Sequence, residues 1–270
     1  MPNIEGSLFD MGAMDRLALQ DTPLHRLDPR VKLITTLLFI VTAVSFDRYS
    51  LAPLLPLFLF PLSLCAVGHL PVPYLRRKLL LASPFAVLVG MFNPLLDRTV
   101  MFQVGGLDIS GGWVSFGSIL LRFTLTVSAA LVLIASTGFT PVCVGLNRLG
   151  VPRAFSNQLL FLYRYIFVLT EEGARMMRAR SLRSFNGRGT GVKVYGAMLG
   201  QLLLRTMDRA QRIHRAMLCR GYTGEIHLNR EYRIRGADIL FLGGWLAFFV
   251  LVRLYNLPQL LGALVMGVTA

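Results

Sequence analysis

The chain has 270 residues, 54% of them apolar and 16% charged, with a mean hydropathy of +0.58. Soluble domains carry roughly 25% charged residues, so this composition excludes a disordered chain, a collagen-like chain and a disulfide scaffold, argues against an ordinary soluble enzyme, and leaves a polytopic helical membrane protein. The 28 basic residues against 14 acidic ones give a net charge of +14, and the location of that charge decides between nucleic acid and membrane partners.

Met1 to Lys32 is polar and mixed in charge, without the apolar run and small-residue site of a signal peptide. A spanning helix needs about 20 mainly apolar residues. Leu33 to Phe46 is the first such run, short enough to need flanking residues or a thinned bilayer; Asp47, Arg48 and Tyr49 interrupt it. Leu51 to Gly68 is the second, with Pro53, Pro56 and Pro61 along it, and neighbouring helices must cover the carbonyls these prolines free. Residues 69–78 read as a loop carrying Arg76, Arg77 and Lys78. Leu79 to Leu96 is the third span, kinked at Pro84. In the loop from Asp97 to Gly112, Met101–Val104 and Leu107–Ile109 flank Gly105-Gly106 as a short hairpin. Trp113 to Phe139 is the fourth span. It contains Arg122, which in a membrane either marks function or faces the protein interior on a neighbour's carbonyl. Gly236 to Leu254 is the fifth, and Leu257 to Val268 is apolar but too short to cross. Cys65, Cys143 and Cys219 have no ligand-like spacing and read as free thiols of a reducing compartment.

Lys and Arg are retained on the cytoplasmic side. Arg26, Arg30 and Lys32 precede the first span, and three adjacent basics lie in 69–78. The N-terminus, residues 69–78 and residues 140–235 are therefore expected in the cytoplasm. The stretch from Phe139 to Arg235 holds 17 basic and five acidic residues, so nearly all the net charge is one block. Pro152 opens a helix running to about Phe185, with Leu159, Tyr163, Ile166, Thr170 and Met177 on one face and Arg175, Arg178, Arg180 and Arg183 in its second half. Asn186 to Gly191 breaks it. A second helix runs from Val192 to Arg220, with Met198, Leu202, Ala210, Ile213 and Met217 on its apolar face and Gly221 as its C-cap. Each helix is expected to end on an arginine beside a small residue, Arg180-Ser181 and Arg220-Gly221, whose rigid fork can meet a partner's carboxylate beyond the helix end. The expected organisation is residues 1–139 as N-terminal segment and four spans, 140–235 as the cytoplasmic helices and 236–270 as the last membrane segment.

Asp15-Arg16-Leu17-Ala18, Leu27-Asp28-Pro29-Arg30-Val31-Lys32-Leu33 and Leu149-Gly150-Val151-Pro152-Arg153, with the two helices, resemble the transmembrane T component of energy-coupling factor transporters, in particular its cobalt/nickel type, CbiQ. That family carries an Ala-Arg-Gly-type motif at the end of each coupling helix. Ala179-Arg180-Ser181 matches the first with Ser for Gly, and Cys219-Arg220-Gly221 the second with Cys for Ala. The resemblance implies an all-α membrane protein with about five transmembrane helices and two long amphipathic coupling helices, multi-pass in a bacterial or archaeal cytoplasmic membrane. It implies two cytoplasmic ABC-type ATPase subunits docked on Ala179, Arg180, Ser181, Cys219, Arg220 and Gly221. It also implies a membrane-embedded metal-binding substrate subunit, alone or with a small accessory membrane subunit. ATP and Mg would be bound by the ATPases, and this chain would bind no cofactor or metal and catalyse nothing.

The residues agree with a non-catalytic chain. Gly187-Arg188-Gly189-Thr190-Gly191 lacks the Lys-Ser/Thr of a phosphate loop, and His25, His69, His214 and His227 lie on separate segments. Two other classes remain in view. A surface that binds anionic lipid needs only scattered arginines, such as Arg175, Arg205, Arg209, Arg212 and Arg215; nucleic acid is disfavoured because the aromatics lie with the spans and not between the basics. An intramembrane enzyme needs a nucleophile with a base, or paired carboxylates, at bilayer depth, and no span core carries an acid. Within the transporter class, a shared T component for vitamin-binding subunits is the alternative.

Overall fold

The computed structural model describes residues 14–15, 17–47, 51–96, 100–104, 107–183, 191–224 and 232–255. Arg16, Arg48 and Tyr49, the hairpin turn Gly105-Gly106, most of the breaker from Asn186 to Thr190, His227, and Leu257 to Val268 lie outside these residues. The chain divides into two compact units, and from residue 14 onward it passes between them after residue 145 and again before residue 232.

The first unit is the apolar one, and it opens on α1 (Pro29–Val44). Asp28 is the N-cap, its carboxylate accepting from the Arg30 N–H at 2.9 Å. Pro29 takes the first helical position, where a missing N–H costs nothing. The second apolar run is not one helix. Pro53 sits second in a short 3-10 turn, Ala52–Leu54, Pro56 opens another, Pro56–Phe58, and only then does α2 (Leu59–Val67) begin. Proline withholds the N–H an α-helix needs one turn on, so this segment winds in pieces. Next, α3 (Val72–Leu96) starts earlier than expected. Arg76, Arg77 and Lys78 are helical and not in a loop, because Pro73 falls in the first turn, where it is tolerated. Strands β1 (Val100–Val104) and β2 (Leu107–Ser110) pair antiparallel, with Val104 opposite Leu107. This is the one departure from an all-helical fold among the described residues, and it is where the hairpin was expected.

Helix α4 (Gly111–Thr137) ends two residues short of the expected limit. Gly138, at φ +81°, turns the chain in the left-handed region, and an unanticipated helix α5 (Phe139–Arg148) follows. The unit closes with α8 (Gly236–Leu254). Among the described residues, α4 and α8 are the two helices long and apolar enough to cross a membrane. Helix α3 lies on α4 so closely that a Cβ at Gly90 would sit 2.7 Å from the Phe116 ring. Phe39 of α1, Phe60 of α2 and Trp245 and Phe249 of α8 form an aromatic centre. Phe39 and Phe60 stack at 4.5 Å, and Trp245 meets Phe60 edge-on at 4.9 Å.

Helices α1 and α4 run antiparallel and exchange cations at their ends. Lys32, 4% exposed, donates from Nζ to the Ser136 carbonyl at the end of α4 (3.1 Å). Arg122, on α4, donates to the Phe46 and Asp47 carbonyls just past the end of α1 (2.8 and 2.5 Å). The last carbonyls of a helix have no partner within it, and each cation sits where the helix dipole is negative. The intramembrane arginine thus takes the structural of its two expected roles. Arg253, near the end of α8, lies over the Phe46 ring at 4.9 Å at the same corner.

Replacing Arg122 by Met keeps the bulk and removes the donors. The expected result is a loss of about 1–3 kcal/mol, read as a lower thermal midpoint of the detergent-solubilised protein by tryptophan fluorescence. An unchanged midpoint would show that the two carbonyls do not need the arginine.

Candidate docking site on two paired basic helices

The second unit is built on α6 (Arg153–Arg183) and α7 (Val192–Cys219). At 1.5 Å per residue, their 31 and 28 residues make rods of roughly 46 and 42 Å. Both match the helices expected from periodicity. They lie antiparallel, because contacts that advance along α6 retreat along α7. Near the start of α6, the buried Asn157 donates from Nδ2 to the Gly224 carbonyl (2.6 Å) and lies 3.3 Å from the Tyr222 hydroxyl, both in the turn after α7. Midway, Arg205 donates to Glu172 at 2.8 Å, and Leu202 packs beside Gly173. Further on, the Arg180 guanidinium lies over the Tyr195 ring, 4.4 Å from its centroid. Met198, Leu202, Ile213 and Met217 are half-buried on one face of α7; Ala210, expected among them, is exposed.

The two arginines singled out by the sequence sit in different settings. Arg220 is the C-cap of α7 and is exposed. Gly221 follows at φ +76°. Its N–H bonds the Leu218 carbonyl and the Tyr222 N–H bonds the Met217 carbonyl, each at 3.0 Å, a complete Schellman turn. That turn ends the helix abruptly and leaves Arg220 at its rim, where it makes no hydrogen bond or ion pair with the described residues. Arg180 departs from expectation. It does not end its helix, since α6 continues to Arg183. It is half-buried against Tyr195, and stacking holds the guanidinium plane while its edge can still reach a carboxylate. Ala179, Ser181, Cys219 and Gly221 are exposed, and the Ser181 hydroxyl bonds the Arg178 carbonyl at 2.8 Å. The 25 residues from Tyr195 to Arg220 place the two arginines about 37 Å apart along α7, so they are two sites.

Sequence reasoning missed Tyr195, Asn157 and the Glu172–Arg205 pair. The signal for the pair was present: Glu172 and Arg205 lie at matching distances from the glycine-rich turn once an antiparallel pairing is assumed. Arg205, bonded to Glu172, holds its carboxyl below the usual glutamate range, and Arg175 adds to this from a turn further along, 3.0 Å away. Among the described residues, no three His, Cys, Asp or Glu side chains gather as a metal cage would require.

An apolar unit with two membrane-length helices, joined to a basic helical pair, has the make-up of a helical membrane protein with a charged helical appendage. The model of the cobalt transport protein family CbiQ matches residues 20–231, and the chain belongs to that family. An uncharacterized protein of Methanocaldococcus jannaschii is 30% identical over 81% of this chain and 78% of its own. The cobalt transport protein CbiQ of Salmonella typhimurium is 24% identical over 55% and 71%. The energy-coupling factor transporter transmembrane protein EcfT of Bacillus subtilis is 26% identical over 74% and 80%. The chain is thus a membrane component of the transport class.

Because the Glu172 carboxyl is lowered in the folded state, its tie to α7 is complete above the ordinary glutamate value of about 4.3 and is lost only as pH falls through the lower folded value. A carboxyl-resolved NMR titration should put Glu172 below the ordinary range, and Arg205→Ala should raise it towards that range, with Arg175 keeping part of the shift. An unshifted Glu172 in the intact protein would contradict the tie.

Proposed function

We propose that the chain is the non-catalytic transmembrane scaffold of an ATP-driven energy-coupling factor transporter for cobalt or nickel ions. Five segments cross the membrane in this reading: α1, the stretch Ala52–Val67, α3, α4 and α8. The N-terminus and the α6–α7 pair face the cytoplasm, and the corner of Arg122 and Arg253 faces outward. Two ABC-type ATPase subunits, which bind ATP and Mg, each accept one end of the helical pair. One takes Ala179-Arg180-Ser181, the other Cys219-Arg220-Gly221, and each arginine meets acidic residues of its groove. Motion of the ATPases then passes through the pair to a membrane subunit that holds the metal ion as cargo.

The observation that carries this reading is the placement of two accessible arginines at separate ends of a stiff, cross-tied helical pair, in a chain of the CbiQ family. A row of arginines attracted only to lipid would need neither a Schellman turn at Arg220 nor an aromatic shelf under Arg180. A shared scaffold serving vitamin-binding subunits is the second reading. It is favoured by relatives named EcfT, which match this chain at 24–28% identity, as in Thermosediminibacter oceani and Heliobacterium modesticaldum.

Affinity purification from native membranes should bring down two ATPase subunits and a membrane-embedded binding subunit. The double variant Arg180→Glu with Arg220→Glu should still insert but lose the ATPases and abolish uptake. Either single variant should cost on the order of 2 kcal/mol of docking, about thirtyfold in affinity. Wild-type uptake in the double variant would remove the docking assignment.

A further inference from the structure

From residue 14 onward, the chain leaves the apolar unit after Gly145 and returns to it before Tyr232. Both crossings are fastened to neighbouring residues at the start of α1. On the way out, Gly145 of α5 lies against the start of α1. A Cβ there would fall 2.9 Å from Leu33 Cδ1 and 3.4 Å from both the carbonyl carbon and the Cβ of Pro29. On the way back, Asp238 closes the first turn of α8. One carboxylate oxygen accepts from the Arg235 N–H at 2.7 Å and the other from the Asp28 N–H at 2.8 Å. Asp28 and Asp238 are 3% and 2% exposed. Asp28 and Pro29 are therefore one clamp for two chain crossings, and Lys32, one turn along α1, adds the end of α4 to it.

As a cap for α8 alone, Asp238 would need only the N–H groups of its own turn. Its second oxygen instead bonds a backbone amide 210 residues away. Carboxylate hydrogen bonds to backbone N–H groups are roughly twice as strong as neutral ones, and a backbone donor cannot rotate away as a side chain can. The arrangement braces the two points at which the chain passes between the units.

We propose that Asp238 and Gly145 are positioning residues for transport: they fix both crossings to Asp28-Pro29, so that movement of the helical pair shifts α1, α4 and α8 together. This rests on the ATP-coupled reading given above. Loosening the clamp should leave docking and hydrolysis in place and waste the stroke.

The test uses the complete transporter reconstituted in liposomes, with uptake of cobalt ions and ATP hydrolysis measured on the same sample. Asp238→Asn keeps the shape and one acceptor oxygen but loses the second. It should assemble with the ATPases, hydrolyse ATP, and take up about fivefold fewer ions or less per ATP. Gly145→Val, which forces α5 off Pro29 with the Asp238 carboxylate intact, should lower the same ratio; it carries the test by itself if Asp238→Asn fails to accumulate. A wild-type ratio of uptake to hydrolysis in either variant overturns the inference while leaving docking untouched. A wild-type chain that purifies without ATPases overturns the functional reading and the inference with it.

Discussion

Helix ends in a low-dielectric surround have nowhere to send their last carbonyls, and this chain meets that constraint by exchanging cations between two antiparallel helices. Lys32 of α1 donates to the end of α4, and Arg122 of α4 donates beyond the end of α1. Lys32 is buried and Arg122 half-buried, and each donates to carbonyls that the other helix's end leaves without an intrahelical partner. The exchange fixes the register of α1 against α4. With that register set, Phe39 meets Phe60 and Phe249 in the aromatic centre, and the start of α1 comes to the junction of α4, α5 and α8.

The basic unit solves a different problem. Two long helices carrying many arginines repel one another, and neither is buried deeply enough to be held by apolar packing alone. Glu172 answers part of the charge: Arg205 bonds it at 2.8 Å and Arg175 lies 3.0 Å away. Asn157 ties the base, and Tyr195 takes up Arg180 towards the other end. Ion pairs this exposed contribute little stability individually. Their value lies in holding the two rods as one stiff pair, which a protein needs if it moves something at one end by being pushed at the other.

Much of this was legible in the sequence, for physical reasons that also mark its limits. The long helices follow from amphipathic periodicity, the end of α7 from Gly221, and the hairpin from Gly-Gly between alternating residues. The missed elements share a cause: they depend on partners distant in sequence or on backbone atoms. Nothing near Gly138 signals that Phe139 starts a new helix, because a glycine inside an apolar run costs only about 1 kcal/mol and is often tolerated. The early start of α3 hid behind Pro71 and Pro73, which read as loop residues. The broken second segment was marked by its prolines, yet hydropathy alone reads it as continuous. Of the site residues, Arg220 was placed correctly at its helix end. Arg180 was not, because α6 runs on to Arg183 and its shelf, Tyr195, belongs to the other helix. Asp28 and Asp238, 210 residues apart, show no mutual signal in a single sequence.

The central claim is that the two arginine ends of the helical pair are seated on separate motor subunits. A photo-activated cross-linking residue placed at position 180, and separately at position 220, in the complete transporter in native membranes tests it most directly. The account predicts that each position captures an ATPase subunit and that positions on the remaining exposed faces of α7 do not. Cross-links from both positions to lipid alone, or none to any ATPase, would contradict it.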